Sequence, residues 1–473
     1  MGGFRENRLR PIIFLANNPI SLIGVGLTTA SAMILVGFWV VDVIARSGPA
    51  SPYVGIVLDL GLPALFVLGL ILIPIGIWLR RRRLRAAGQL PTEYPKVDLG
   101  NPVFRRGLHF VLAATFINFV IVGTASYRGV AYMDTPNFCG QTCHVMAPQW
   151  SAYHEFSHAH VACTDCHIAS GVAGFVNAKV NGTKQLFSVM FNTYPRPIMA
   201  DNRIPPASAT CLHCHNPQRN IGDKLLMKTS FGDDEKNSVT HTLVLLHIGG
   251  RDPSGSLLGI HGSHLGRIEY VATDTTNQTI PWVGKDNSDG SVTEFQSTDA
   301  TGPVHGQKRL MDCIDCHNRA AHSFDTPEDA LNKAMAAGSV DPSLPFVRKQ
   351  GLVLIKETYP SQAEAESKIT AGLEDFYRTQ YPAVWSQQRT QIDQTAKSLA
   401  AIHGVNVFPS MNVNWGTHPN NIGHNAYPGC FRCHDGSHNT KDGKSINNDC
   451  SICHNLLAVD EVNPKQLAEL GLQ

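Results

Sequence analysis

A mainly α-helical membrane protein is what this sequence predicts: three transmembrane helices, then an extracytoplasmic domain with little regular secondary structure and a small β insertion. Three observations carry that expectation. Long apolar segments run from Ile20 to Ile44, Val54 to Leu79 and Leu108 to Ala125, all before the first cysteine. The 12 cysteines fall without remainder into six pairs, each followed at once by histidine. Beyond residue 126 the chain is polar, rich in histidine, Gly and Pro, and its apolar runs are short.

Each apolar segment has about the 17–25 residues that a bilayer-spanning helix needs. The first exceeds the 7–15 apolar residues of a signal-peptide core, so it reads as an anchor rather than a cleaved leader. Flanking charge sets the orientation. Arg5, Arg8 and Arg10 precede the first segment, and only Arg46 lies in the loop after it. The next loop holds Arg80, Arg81, Arg82, Arg83, Arg85, Lys96, Arg105 and Arg106. Positive loops stay in the cytoplasm, so the N-terminus and this loop are expected there, and everything after Ala125 on the periplasmic side of the inner membrane. Pro63 and Pro74 are expected to kink the second helix, which neighbouring helices tolerate. Asp42 and Asp59 fall near the outer ends of the first two segments, and carboxylates within a span are functional candidates by default, here as proton relays.

The remainder divides by motif. Residues 1–130 form the anchor; 131–325 carry four cysteine pairs, interrupted by a cysteine-free insertion at 218–308; 326–473 comprise a helical stretch and a last two-motif module. Within the insertion, Arg267–Asp274 and Thr279–Val283 read as strands, with Asn287-Ser288-Asp289-Gly290 as a turn. Helical starts are signalled by Thr326-Pro327-Glu328, with Pro at the first position, and by Ser361-Gln362-Ala363-Glu364, a capping box.

The pairs are Cys139/Cys143 with His144, Cys163/Cys166 with His167, Cys211/Cys214 with His215, Cys313/Cys316 with His317, Cys430/Cys433 with His434, and Cys450/Cys453 with His454. Chance would yield on the order of 0.01 copies of Cys-x-x-Cys-His in such a chain, and this pattern is the haem c attachment signal. Two thioether links hold one porphyrin, and the adjoining histidine is held under its iron. Six covalently bound haems c are therefore expected, the first on a variant with three residues between its cysteines. Attachment takes place outside the cytoplasm, which agrees with the orientation read from loop charge. Zinc also takes Cys and His, but it does not require His directly after the second Cys. Lys+Arg at 39 against Asp+Glu at 38 excludes the strong basic excess of a nucleic-acid binder. Of 21 histidines, six are proximal and His109 lies at the cytoplasmic end of the third segment; the rest outnumber the six sixth-ligand positions. That surplus favours bis-histidine, electron-transferring irons over substrate-binding ones.

Phe138-Cys139-Gly140-Gln141-Thr142-Cys143-His144-Val145-Met146, Ser157-His158-Ala159-His160-Val161-Ala162-Cys163-Thr164-Asp165-Cys166-His167, and Cys313-Ile314-Asp315-Cys316-His317 with His322 resemble the NapC/NirT family of membrane-anchored multihaem quinol dehydrogenases, which includes the NrfH-like anchors. The resemblance covers the third apolar segment and the first four motifs. The last pair of motifs, with Gly429-Cys430-Phe431-Arg432-Cys433-His434-Asp435 and Ile422-Gly423-His424, resembles the extended ImcH-like inner-membrane cytochromes of metal-reducing bacteria. The resemblance implies that Met146 ligates the first iron in place of the motif histidine, that His158 and His322 are distal ligands of other irons, and that Lys179 lies beside a quinol site. It implies oxidation of a quinol, menaquinol above all, with electrons delivered to a periplasmic c-type cytochrome or another redox partner. Three features depart from the family pattern: the longer first motif, the insertion, and the lack of any Asp or Glu between His167 and Asp201 where the family has an acidic residue. The quinol's proton acceptor is therefore open among Lys179, Tyr153, His154 and His160.

Local context adds distal candidates: His241, His261 and His264 in the insertion, His424 and His438 around the fifth motif, with His418 and His403 in reserve. Membrane lipid is an implied partner and nucleic acid is not. Two rivals remain: an electron-relay subunit of a larger respiratory or photosynthetic complex without its own quinol site, and a catalytic multihaem reductase of the nitrite or hydroxylamine type, which needs a five-coordinate iron.

Overall fold

The computed structural model describes residues 11–45, 61–91, 100, 102–155, 157–199, 205–216, 222–251, 257–300, 302 and 304–471. The chain divides into two compact units, Met1–Phe138 and Cys139–Gln473.

The first unit contains helices α1 (Pro19–Ala45), α2 (Leu62–Ala86) and α3 (Pro102–Met133). Small residues bring α1 and α2 together, as is usual where lipid removes the hydrophobic drive between helices. A side chain at Gly69 would strike Thr28 Oγ1 and the backbone of α1, and one at Gly76 would strike Ser21 and Asn18. Ser21 Oγ donates to the Ile73 carbonyl at 2.9 Å, next to Pro74, which lies inside α2. Outward faces stay apolar and uncovered: Leu22, Ile23, Leu68 and Ile71 are all exposed. Among the described residues two helices are long and apolar enough to cross a membrane, Pro19–Gly37 and Leu62–Ala86, where the sequence predicts three. The third expected span lies within α3, a continuous 32-residue helix, several of whose side chains fall outside the described residues. Asp42 lies in α1 with its side chain outside the described residues, and Asp59 lies outside them altogether.

The second unit begins with short elements around the motifs. These are α4 (Ala147–His154), the one-turn α5 (Cys163–His167) and α6 (Gly171–Met190). The segment after them holds more β-structure than expected. β1 (Gly222–Phe231) and β2 (Val239–Arg251) form a long antiparallel hairpin, with β3 (Leu257–Leu258) against the end of β2 and the short α7 (Gly259–His264) following. The signal for it was present in Leu225-Leu226-Met227 and Leu243-Val244-Leu245-Leu246. A second sheet contains β4 (Ile268–Val271), β5 (Trp282–Asp286), β6 (Val292–Ser297) and β7 (Arg309–Leu310), in the order β7-β4-β5-β6. The expected turn joins β5 to β6, where the Gly290 amide donates to the Asn287 carbonyl. Both sheets are completed from the far end of the chain: β8 (His438–Asn439) pairs with β6, and β9 (His454–Glu461) pairs with β2. The insertion is thus tied to the chain carrying the last two motifs.

Between them, α8 (Cys313–Cys316) holds the fourth motif, and α9 (Pro327–Ala336), α10 (Val347–Lys356), α11 (Gln362–Gln380), α12 (Pro382–Gln387) and α13 (Arg389–Asn406) form a helical bundle, with α14 (Lys465–Glu469) near the end. The bundle starts as the sequence predicts: Thr326 Oγ1 accepts from the Asp329 amide and Ser361 Oγ from the Glu364 amide, both at 3.2 Å. Leu331, Ile355, Ile369, Leu373, Ile392 and Leu399 are fully buried at its centre.

Candidate haem sites

Five motifs take tight local turns on α5, α8 and three 3-10 turns, which place the second Cys and the His beside the first Cys, and the first, with its extra residue, takes a wider π-helical turn at Phe138–Thr142; the motif histidine amide of the third, fourth and fifth motifs donates to the first cysteine's carbonyl. The spacing of Cys-x-x-Cys-His needs this compact turn to present two sulfurs and an imidazole to one ring.

Five of the six motif histidines face a second histidine from a distant part of the chain. Ring centres are 6.2 Å apart for His167 and His322, 5.9 Å for His215 and His158, 6.4 Å for His317 and His261, 5.7 Å for His434 and His264, and 6.0 Å for His454 and His424. Metal–imidazole bonds are about 2 Å, and the ring centre lies about 1 Å further, so two imidazoles on one ion stand about 6 Å centre to centre. The fifth motif tests the fit most directly. His264 Nε2 and His434 Nε2 lie 3.5 Å apart, while His264 Nδ1 bonds the Ile260 carbonyl at 2.7 Å and His434 Nδ1 the Asn447 carbonyl at 2.6 Å. A carbonyl accepts only, so each Nδ1 carries the proton and each Nε2 presents a lone pair. Two facing Nε2 atoms suit a metal ion between them, and the outer bonds are those that orient metal-bound imidazoles. His322 has the same outer bond, Nδ1 to the Gln149 carbonyl at 3.2 Å. Burial lowers the pKa of His167, His261, His264 and His317, and that of His322 to about 4, which keeps them neutral and able to ligate. The residues therefore fit haem.

The first motif differs. His144 is exposed and no second imidazole faces it among the described residues; Met146 follows in the 3-10 turn and packs, half-buried, against a cluster containing Val145, Ala152 and Phe324.

The cysteines form a string in sequence order. A hydrogen bond from Cys139 brings the Cys163 thiol down to about 7. Burial raises Cys166, and nearby Cys211 and Cys214 add to it. Cys313 rises to about 11 through burial, Asp312 and Cys211. Cys316 reaches about 11 through burial, with Arg432 opposing and Cys430 adding. Cys453 is raised by burial and by Cys430. Each motif thus neighbours the next.

Other expected residues sit elsewhere. His438 is buried with Nε2 2.7 Å from the Ile280 carbonyl, and His241 on β2 bonds Thr229 Oγ1 at 3.2 Å; neither faces a second imidazole. In both cases strand pairing fixes the backbone and turns the ring to a local partner. His403 and His418 are buried, each with an unpartnered Nε2, against Tyr359 and Phe324 respectively. Tyr153 is buried and its hydroxyl donates to the Val161 carbonyl at 3.0 Å, so it already spends its proton. His154 is exposed, with Nδ1 2.8 Å from the Trp150 carbonyl, and His160 is exposed. Lys179 Nζ stands 5.0 Å from the Phe175 ring centre on α6.

The sequence reading passes over a buried polar group between the fourth and fifth motifs, built from Tyr270, Asp315, Asn421 and Arg432. Its only local signal is a charged residue between the two cysteines of each motif.

Six cysteine pairs with their histidines, and paired imidazoles on a membrane-anchored chain, define a multihaem c-type cytochrome. Residues 103–205 match the N-terminal region of the NapC/NirT cytochrome c family. The cytochrome c-type protein ImcH of Geobacter sulfurreducens is 35% identical over 450 residues, 93% of this chain and 88% of that protein. The chain belongs to the NapC/NirT cytochrome c family, in an ImcH-like form. No solved structure matches it.

Proposed function

We propose that this chain is a hexahaem quinol dehydrogenase, anchored by three helices in the inner membrane with its N-terminus cytoplasmic and its haem-bearing unit periplasmic. It oxidises a quinol, menaquinol by preference, and reduces a periplasmic c-type cytochrome. The observation carrying this reading is the pairing of five motif histidines with five distant ones. Histidine pairs of this kind would hold haem for electron transfer and leave no place for substrate, which speaks against a nitrite- or hydroxylamine-type reductase. When bound, the haems accept electrons singly and pass them on.

The chain's own residues supply the rest. Cys139, Cys143, Cys163, Cys166, Cys211, Cys214, Cys313, Cys316, Cys430, Cys433, Cys450 and Cys453 would attach the groups. His167, His215, His317, His434 and His454 would ligate from the motifs, each with the histidine it faces: His322, His158, His261, His264 and His424. His144 and Met146 serve the first motif, which begins just beyond α3. A sulfur ligand there raises the potential, which suits the entry point for electrons from quinol. Of the proton acceptors, Lys179, His154 and His160 keep solvent access, whereas Tyr153 donates to a carbonyl.

The test is direct. The purified full chain is mixed with a reduced menaquinol analogue, and the haem absorbance is followed with and without a quinol-site inhibitor. Inhibitor-sensitive reduction is expected, with about six haems per chain by pyridine haemochrome. Haems reducible by dithionite but not by the quinol would assign the protein instead to electron relay within a larger complex.

A further inference from the structure

Arg432 lies between the cysteines of the fifth motif, 9% exposed, and three of its nitrogens donate to backbone carbonyls. Nε reaches Gly429, Nη1 reaches Asn277 and Nη2 reaches Asp315, each at 2.8 Å. No carboxylate pairs with the guanidinium among the described residues. The nearest acid, Asp315 between the cysteines of the fourth motif, spends its carboxylate on other donors: the Tyr270 hydroxyl at 2.6 Å and the Asp312 amide at 2.7 Å. Asn421 Nδ2 adds a bond to the Asp315 carbonyl at 3.0 Å. A permanent cation is thus held in a dry seam by neutral partners. Such a placement is costly unless its field is used. The seam touches both motifs: Arg432 lies between Cys430 and Cys433, and its Nη2 donates to the carbonyl of Asp315, which lies between Cys313 and Cys316.

We propose that Arg432 is an electrostatic positioning residue that raises the reduction potential of the two haems attached at Cys313/Cys316 and Cys430/Cys433, favouring electrons at the step from the fourth motif to the fifth. Reduction adds one electron at each position, so the local charge falls by one. A fixed positive charge nearby favours that reduced state, and haem potentials respond to net charge and burial in this sense. Electrons enter from quinol, so no further reductant is needed. The inference rests on the quinol dehydrogenase reading only in taking haem to be attached at these two motifs.

The test is a spectroelectrochemical titration of the full-chain holoprotein carrying Arg432→Gln or Arg432→Lys. With Gln, two of the six components are expected to shift to lower potential while the other four hold. Lys keeps the charge and loses the fork, so its midpoints stay near those of the unaltered protein while thermal stability falls. Unmoved midpoints with Gln, an equal fall with Lys, or all components moving together would each overturn the inference. If the Gln variant does not accumulate, Arg432→Met removes the same charge with an apolar side chain that fills the seam: two midpoints fall, and a rise or no change overturns it. Haem content is measured alongside. A shortfall in the unaltered protein counts against the hexahaem reading, while the midpoints of the haems present still decide the role of Arg432.

Discussion

The bundle of α9–α13 and the motif stretch from Cys139 to Asn216 hold themselves together in different ways. The bundle buries Leu331, Ile355, Ile369, Leu373, Ile392 and Leu399 completely and caps α9 and α11 with its own side chains. The motif stretch combines short turns with the helices α4 and α6, and few of its described side chains beyond Val145, Ala152, Tyr153 and Ala207 are buried apolar groups. One region carries its core in its sequence. The other, with six cysteines of its own, would rely on thioether links and metal–imidazole bonds to join segments far apart along the chain, because its amino acids alone bury too little apolar surface.

That contrast can be broken by removing either kind of support. Replacing Cys163 and Cys166 by Ser should remove one haem and destabilise the whole stretch around it. Limited proteolysis should then cut between residues 139 and 216 while leaving the bundle intact; equal protection of both regions would abolish the distinction. Next, His264→Ala should convert one low-spin signal to high-spin in the EPR spectrum, whereas His438→Ala should leave every iron signal in place and cost its bonds to the Ile280 carbonyl, Ser437 and Asp435. A spin change in the second variant would show that strand pairing does not set the ring's role.

Leu399→Ala probes the bundle. It should cost about 2–5 kcal/mol in denaturant unfolding, with the haem spectrum unaltered. A loss of haem absorbance would mean that the two regions fold as one.

The smallest effect concerns pH. Burial, with Arg319 and His322 nearby, holds the His418 imidazole at about 4, so it is neutral in the fold. Its folded pKa lies below the ordinary value of about 6.5, so its contribution is complete above that value and is lost as pH falls toward 4, at most about 3 kcal/mol. The melting temperature of the unaltered protein should fall more steeply between pH 6.5 and 4 than that of His418→Asn; parallel curves would sink this assignment.

Much of the site is legible in residue order because its chemistry is local. The six motifs, the proximal histidines and the helix starts at Thr326 and Ser361 each depend on neighbours a few positions away. The distal ligands do not. His158 meets His215, but His264 must find His434 across 170 residues, and nothing near His264 distinguishes it from His241, which bonds a threonine instead. His438 shows the limit clearly: it flanks a motif as a ligand would, yet pairing of β8 with β6 turns it to a carbonyl. The long β1–β2 hairpin was written in apolar runs, whereas its third partner, β9, arrives from beyond the last motif.

Residue order alone determined that the chain is a multihaem c-type cytochrome, and the proposed attachment sulfurs and membrane orientation rest on it too, since thioether chemistry and loop charge act through short spacings. Tertiary structure decided which imidazole meets which, that the motifs run as a string, and that a guanidinium is sealed beside two of them. Those depend on backbone paths that bring remote segments together, and histidines of equal chemistry are told apart only by where the fold puts them.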